Sequence, residues 1–159
     1  MDVPQGCPGS QMLNFKEKEE SDAGETAEKV ESQLRQWPIQ LHLVSPEAPY
    51  YQGADVLLSA DCVAYALGDF HSQYLKGKSL AIACPKLDDG QDIYQQKIKS
   101  LIEDAKINTL TVLIMQVPCC MGLLNLARQA AEAAQRKVPV KYVVVGVQGE
   151  ILQEEWVTT

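Results

Sequence analysis

The sequence predicts an α/β domain built on a single doubly wound sheet, Rossmann-like or flavodoxin-like, mostly parallel and of about five strands. Three observations lead there. Short runs rich in Val, Ile and Leu recur at residues 55–60, 79–83, 109–116 and 140–147, as strands covered on both faces do. From Ser79 onward these runs alternate with stretches of helical periodicity, the pattern of strand–helix–strand units with right-handed crossovers. Three of the runs also stop at cysteine: Cys62, Cys84 and the pair Cys119–Cys120. Parallel strands finish along one edge of a sheet, and ligands of open α/β sheets bind at that edge.

Taken in order, residues 1–36 read as a mobile, charged leader. Lys16 to Glu31 is mostly charged with small residues between, and such a segment buries too little apolar area to offset its chain entropy. Within it, residues 25–36 suggest a short helix with Ala27, Val30 and Leu34 on one face. Trp37-Pro38 marks the start of the folded domain at 37–159, because a residue before proline is pushed out of the helical region. Residues 39–44 (Ile-Gln-Leu-His-Leu-Val) alternate like a first strand, and 45–53, with two prolines and a glycine, form an irregular connection.

The strand at 55–60 follows. Residues 63–77 read as a short helix or as two broken turns. After the strand at 79–83, Pro85 stops the run and Asp88-Asp89 suits the N-cap of the next helix. Across 91–106, Tyr94, Ile98, Leu101 and Ala105 share a face that Ile102 widens, which predicts an amphipathic helix lying on the sheet. The strand at 109–116 leads into an Ala- and Leu-rich helix over 120–136. The strand at 140–147 is nearly all β-branched. Gln148-Gly149-Glu150 makes a turn, after which 151–157 folds back as an antiparallel edge strand.

Composition narrows the function. With 159 residues and a formal net charge of −7, the chain shows no basic stripe, which argues against a nucleic-acid partner. No apolar run approaches the roughly 20 residues that span a bilayer, and no secretory signal pattern opens the chain, so a cytoplasmic protein with no membrane partner is expected. Neither a G-x-G-x-x-G nor a P-loop motif is present, so nucleotide binding has no motif support. Five cysteines in such a chain favour metal or redox chemistry over a disulfide scaffold.

The candidate ligands are Cys62, Cys84, Cys119 and Cys120. Thiolates are soft ligands for iron–sulfur clusters, zinc or other thiophilic metals. No C-x-x-C spacing occurs, so only tertiary structure can bring them together. Free cysteine is also a common small core residue, and buried structural cysteines are the plain alternative. At the strand-to-helix junction of Cys119-Cys120, the helix dipole is expected to lower a thiol pKa. Lys86 and His71 are weaker candidates, as a charge partner and a fifth ligand; Asp61, Asp69, Asp88 and Asp89 suit caps and loop hydrogen bonds.

Gly6-Cys-Pro-Gly-Ser10, Trp37-Pro-Ile-Gln-Leu41, Ala54 to Cys62, Asp69-Phe-His71, Cys84-Pro-Lys-Leu-Asp-Asp89 and Val117-Pro-Cys-Cys120 together resemble a family of small ferredoxin-type 4Fe–4S iron–sulfur proteins from anaerobic microbes. The resemblance runs from about Gly6 to Ile151. It implies an α/β domain that follows an N-terminal ferredoxin domain in that family, a domain this sequence lacks. It implies an iron–sulfur setting for Cys62, Cys84, Cys119 and Cys120 and a ferredoxin domain or other redox protein as partner. The leading expectation is therefore a non-catalytic redox accessory domain supporting electron transfer. A thiol-based redox enzyme using Cys119 or Cys120, and a protein-interaction module with buried cysteines, are the competing expectations.

Overall fold

The computed structural model describes Phe15 and residues 29–157. The expected mobility of the leader therefore lies almost wholly outside the described residues, as do Cys7 and the first part of the helix expected at 25–36. Residues 29–36 are not helical.

Five strands form one sheet: β1 (Asp55–Ala60), β2 (Ser79–Ala83), β3 (Thr109–Met115), β4 (Val140–Val145) and β5 (Ile151–Trp156), in spatial order β2-β1-β3-β4-β5. The first four pair in parallel, and β5 runs antiparallel to β4. The apolar runs explain the order. β1 and β3 are buried at every position but their first, and they occupy the middle of the sheet. β5 is exposed along its whole length and lies at the edge.

Helices α2 (Gln91–Glu103) and α3 (Met121–Ala133) pack against each other, as successive right-handed crossovers on one face of the sheet require. Tyr94, Ile98, Leu101 and Ile102 of α2 are buried, with Ala105 just beyond it. Leu123, Leu124, Leu126, Ala127, Ala130 and Ala131 do the same for α3. At about 1.5–3 kcal/mol for each large apolar side chain, this shared face is the main force docking the helices. Arg136, beyond α3, donates to the carbonyls of Ile102 and Ile107 at 3.2 and 2.8 Å, satisfying oxygens at and beyond the end of α2. The segment after β1 resolves into a four-residue helix, α1 (Val63–Ala66), and a π-helical turn over Phe70–Leu75.

The first strand expected at 39–44 does not form. Gln40 makes one isolated parallel bridge to Ile82; the chain then turns, with the N–H groups of Leu43 and Val44 both donating to the Gln40 carbonyl. Leu41 and Val44, three residues apart, are the buried pair, while Leu43 is exposed, a turn spacing that the alternating letters concealed. Lys97 fixes the turn by donating to the carbonyls of Leu41, His42 and Val44 at 2.8–2.9 Å. The segment from Arg35 to Tyr51 closes the outer edge of β2. Gln36 brackets Leu80, accepting from its N–H at 3.0 Å and donating to its carbonyl. Tyr51 Oη donates to the same carbonyl at 2.8 Å, and Arg35 donates to Ser79 Oγ at 3.0 Å.

Candidate functional site

Three loops meet above the carboxyl ends of β1, β2 and β3. Cys62 follows β1, Cys84 follows β2, and Cys119 and Cys120 lie in a short 3-10 turn, Pro118–Cys120, between β3 and α3. Sheet order places them. The chain leaves β1 for β2 on one side and later returns to β3 on the other, so the direction of winding reverses between β1 and β3. A crevice opens at such a reversal.

All four cysteines border one cleft of about 160 Å³, together with Ala60, Asp61, Pro85, Met115, Val117 and Val147. They are free thiols. Cys62 is exposed, Cys84 and Cys119 are half-buried, and Cys120 is buried. Residues 62, 84, 119 and 120, far apart in sequence, thus come together as expected.

Close packing between the loops shapes the cleft. Gly122, in the first turn of α3, faces Pro85 so closely that a Cβ there would sit 3.2 Å from the proline ring. The missing side chain lets the Cys84 loop approach the Cys119-Cys120 turn. Gly149, in the turn between β4 and β5, has φ +88°, and a Cβ there would come within 2.4 Å of the Ala66 carbonyl oxygen. Only glycine fits, and the turn thereby delivers Val147 to the cleft wall.

The Cys84 loop is held by Asp88. Its Oδ2 accepts from the Cys84 N–H at 2.9 Å and from the Tyr94 hydroxyl, while the Asp88 N–H returns a bond of 2.9 Å to the Cys84 carbonyl. Burial and the bond to Asp88 push the Tyr94 phenol well above its ordinary range. Asp88 is therefore not the N-cap of α2 as expected; that position is Gly90, at φ +75°. Asp88 orients a candidate ligand instead.

The electrostatics differ from expectation. The helix start does not acidify Cys120: burial pushes its thiol up to about 11. Desolvation outweighs the helix dipole because the side chain faces the core. The Cys62 thiol is also raised, first by burial and then by Cys84, Asp61 and Cys119. Asp61 is raised by burial and by the Asp88 charge. Without a cation, then, the cleft favours the protonated forms of Asp61, Cys62 and Cys120.

The weaker candidates fall elsewhere. His71 Nδ1 accepts the Gln33 N–H at 3.0 Å and lines a neighbouring hollow with Leu34, Tyr65 and Phe70, which shares only Ala60 and Asp61 with the cysteine cleft. Lys86 is exposed and not part of the cleft wall. Asp61 neither caps a helix nor hydrogen-bonds a loop through Oδ1, which is buried with no partner among the described residues. Its place beside Cys62 at a strand end was the available sequence signal.

A sheet of this order, with its polar and thiol groups gathered at the switch point, defines an α/β domain of the doubly wound class. The profile of a family described as a Rossmann-like domain matches residues 48–159, and the chain belongs to that family. It is similar to an uncharacterized protein of Archaeoglobus fulgidus, at 29% identity over 121 residues, covering 75% of this chain and 83% of that protein. No solved structure matches. Among the described residues, no helix is long and apolar enough to cross a membrane.

Proposed function

We propose that this domain is a redox accessory module that holds an iron–sulfur cluster at the strand ends and supports electron transfer with a ferredoxin-type partner. The observation that carries this reading is the convergence of Cys62, Cys84, Cys119 and Cys120 on one cleft. Their chemistry fits the group. Thiolates are the usual ligands of such clusters, and a cationic iron centre offsets the burial and neighbouring negative groups that favour the protonated form of Cys62.

A cluster and a single zinc ion make different demands on the four thiols. Around one tetrahedral zinc, thiolate sulfurs sit about 3.8 Å apart, since each Zn–S bond is about 2.3 Å. Among the described residues, no three His, Cys, Asp or Glu side chains are arranged to hold one ion. In a four-iron cluster each ligand takes its own iron, so the protein sulfurs stand farther apart while still facing one space. Cys62, Cys84 and Cys119 supply three ligands, and two side chains on the cleft wall compete for the fourth position, Cys120 and Asp61. A cluster bound there would supply the electron-carrying capacity; the domain positions it near the surface, where the exposed Cys62 lies. A thiol-based enzyme draws no support from Cys120, whose raised pKa disfavours a nucleophilic thiolate at neutral pH.

The test is anaerobic reconstitution of the full chain with iron and sulfide, followed by iron and sulfide analysis and an absorption spectrum. Near-stoichiometric iron and sulfide with sulfur-to-iron charge-transfer bands are expected, and Cys84→Ser should remove them. Zinc bound in a one-to-one complex, with no iron–sulfur uptake, would replace this reading with a zinc site. If neither is taken up, the cysteines are structural.

A further inference from the structure

We infer that Asp61 is the fourth ligand at the cleft, joining Cys62, Cys84 and Cys119, and that Cys120 is a packing residue. The inference rests on the cleft holding an iron–sulfur cluster, and it assigns the position that the cysteines alone leave open.

Asp61 directly follows β1 and precedes Cys62, and it lines the cysteine cleft. Its backbone is fixed, the N–H donating to the Ala83 carbonyl at 3.2 Å. Oδ1 is the single buried side-chain nitrogen or oxygen left without a hydrogen-bond partner among the described residues. A buried carboxyl oxygen without a partner calls for an explanation, and an ion or ligand that completes it is one. Asp88 makes the contrast: close to the same loops, it is satisfied by the Cys84 N–H and the Tyr94 hydroxyl. Asp61 carries the spare acceptor.

Cys120 has the opposite character. It is 7% exposed and part of the hydrophobic core, and it is the residue from which α3 starts. Cys119, its neighbour, is only half-buried and packs against that core from outside. Consecutive residues in a helical turn point in different directions, so one backbone position does not present both sulfurs equally. A carboxylate oxygen is an acceptable ligand for iron, and Asp61 lines the cleft, as it lines the neighbouring hollow of His71.

The experiment compares the full wild-type chain with Asp61→Asn, Asp61→Cys and Cys120→Ala after anaerobic reconstitution with iron and sulfide. It reads iron content, charge-transfer absorption per iron, and the rate of iron loss to a chelator. Thermal melting checks that each variant is folded, and Asp61→Asn keeps the shape of the side chain. Cys120→Ala should match wild type in iron content and spectrum. Asp61→Asn should lose iron at least about tenfold faster, since losing even an outer-shell partner of a metal site weakens it by 10–100-fold. Asp61→Cys should restore retention and raise the absorption per iron, because a fourth thiolate replaces an oxygen. Retention by Asp61→Asn together with loss by Cys120→Ala overturns the assignment and leaves the cluster reading intact. Equal loss in both, or in neither, also overturns it. If the wild-type chain takes up no iron, the proposed function falls first and the assignment with it.

Discussion

Cys120 makes the residue scale concrete, because its environment reverses the effect expected from its position. A thiol at a helix start faces favourable N–H groups, but one buried in the core loses more hydration than the dipole returns. The consequence is a pH dependence of definite sign. The Cys120 thiol is raised from its ordinary value of 9.0 to about 11 in the folded protein. Between those values the unfolded chain has given up a proton that the folded chain still holds, so stability falls as pH rises through that window and is fully present below it. The loss is on the order of 2–3 kcal/mol, at 1.36 kcal/mol per pKa unit. Urea melts of the metal-free protein at pH 8, 9 and 11 should show this decline, and Cys120→Ala should flatten it. The tyrosine contribution at the alkaline end is common to both proteins and cancels in the difference. An equal slope in both would show that Cys120 is not the titrating group.

At the scale of elements, the cleft depends on loops more than on strands. β1, β2 and β3 supply parallel ends, but the loop after β2 must be folded back for Cys84 to face the others. Asp88 does this through two accepted hydrogen bonds and one donated by its own N–H. Asp88→Ala leaves the Cys84 N–H and the Tyr94 hydroxyl without their acceptor. Leaving a buried donor unsatisfied costs about 1–3 kcal/mol, so for two donors a total destabilisation of about 2–6 kcal/mol is expected in chemical denaturation. On the proposed cluster reading, the same variant reconstituted with iron and sulfide should release iron faster than wild type, because the Cys84 loop is no longer held. Destabilisation with unchanged iron retention would mean that Asp88 supports the fold without orienting the ligand.

For the whole molecule, the two sheet edges are treated differently. β5 leaves its six residues exposed, with charge on Glu154 and Glu155 and an ion pair between Glu154 and Lys141. Charged side chains on an edge oppose pairing with another sheet. β2 carries only Ser79 and apolar residues, so its edge needs a physical cover, and the segment from Arg35 to Tyr51 provides one. The double variant Arg35→Ala/Gln36→Ala removes the donor to Ser79 and both bonds to Leu80. A loss of about 2–3 kcal/mol is expected at about 1 kcal/mol per net hydrogen bond. Light scattering should also show concentration-dependent association as the β2 edge opens. Unchanged stability and a monodisperse solution would show that residues beyond Gln36 suffice as the cover.

The sequence by itself determined the elements whose signal is a run or a period: the buried strands of the sheet, the folded-back strand at the carboxyl end, and the amphipathic helix read over 91–106, which the structure ends at Glu103. A doubly buried strand and a one-faced helix write their environment directly into residue order, so these were legible. It also located Cys62, Cys84, Cys119 and Cys120 at strand ends, from which their meeting follows once the strands are parallel. Tertiary structure decided the rest. Residues 39–44 alternate like a strand, yet three carbonyls captured by Lys97 and a single bridge to Ile82 make them a turn. Asp88 looks like a helix cap and instead grips Cys84; Asp61 looks like a loop hydrogen-bonder and instead has a buried oxygen with no partner among the described residues. In each case the deciding partner lies on another element, and local sequence carries no record of which distant group will satisfy, crowd or desolvate a side chain.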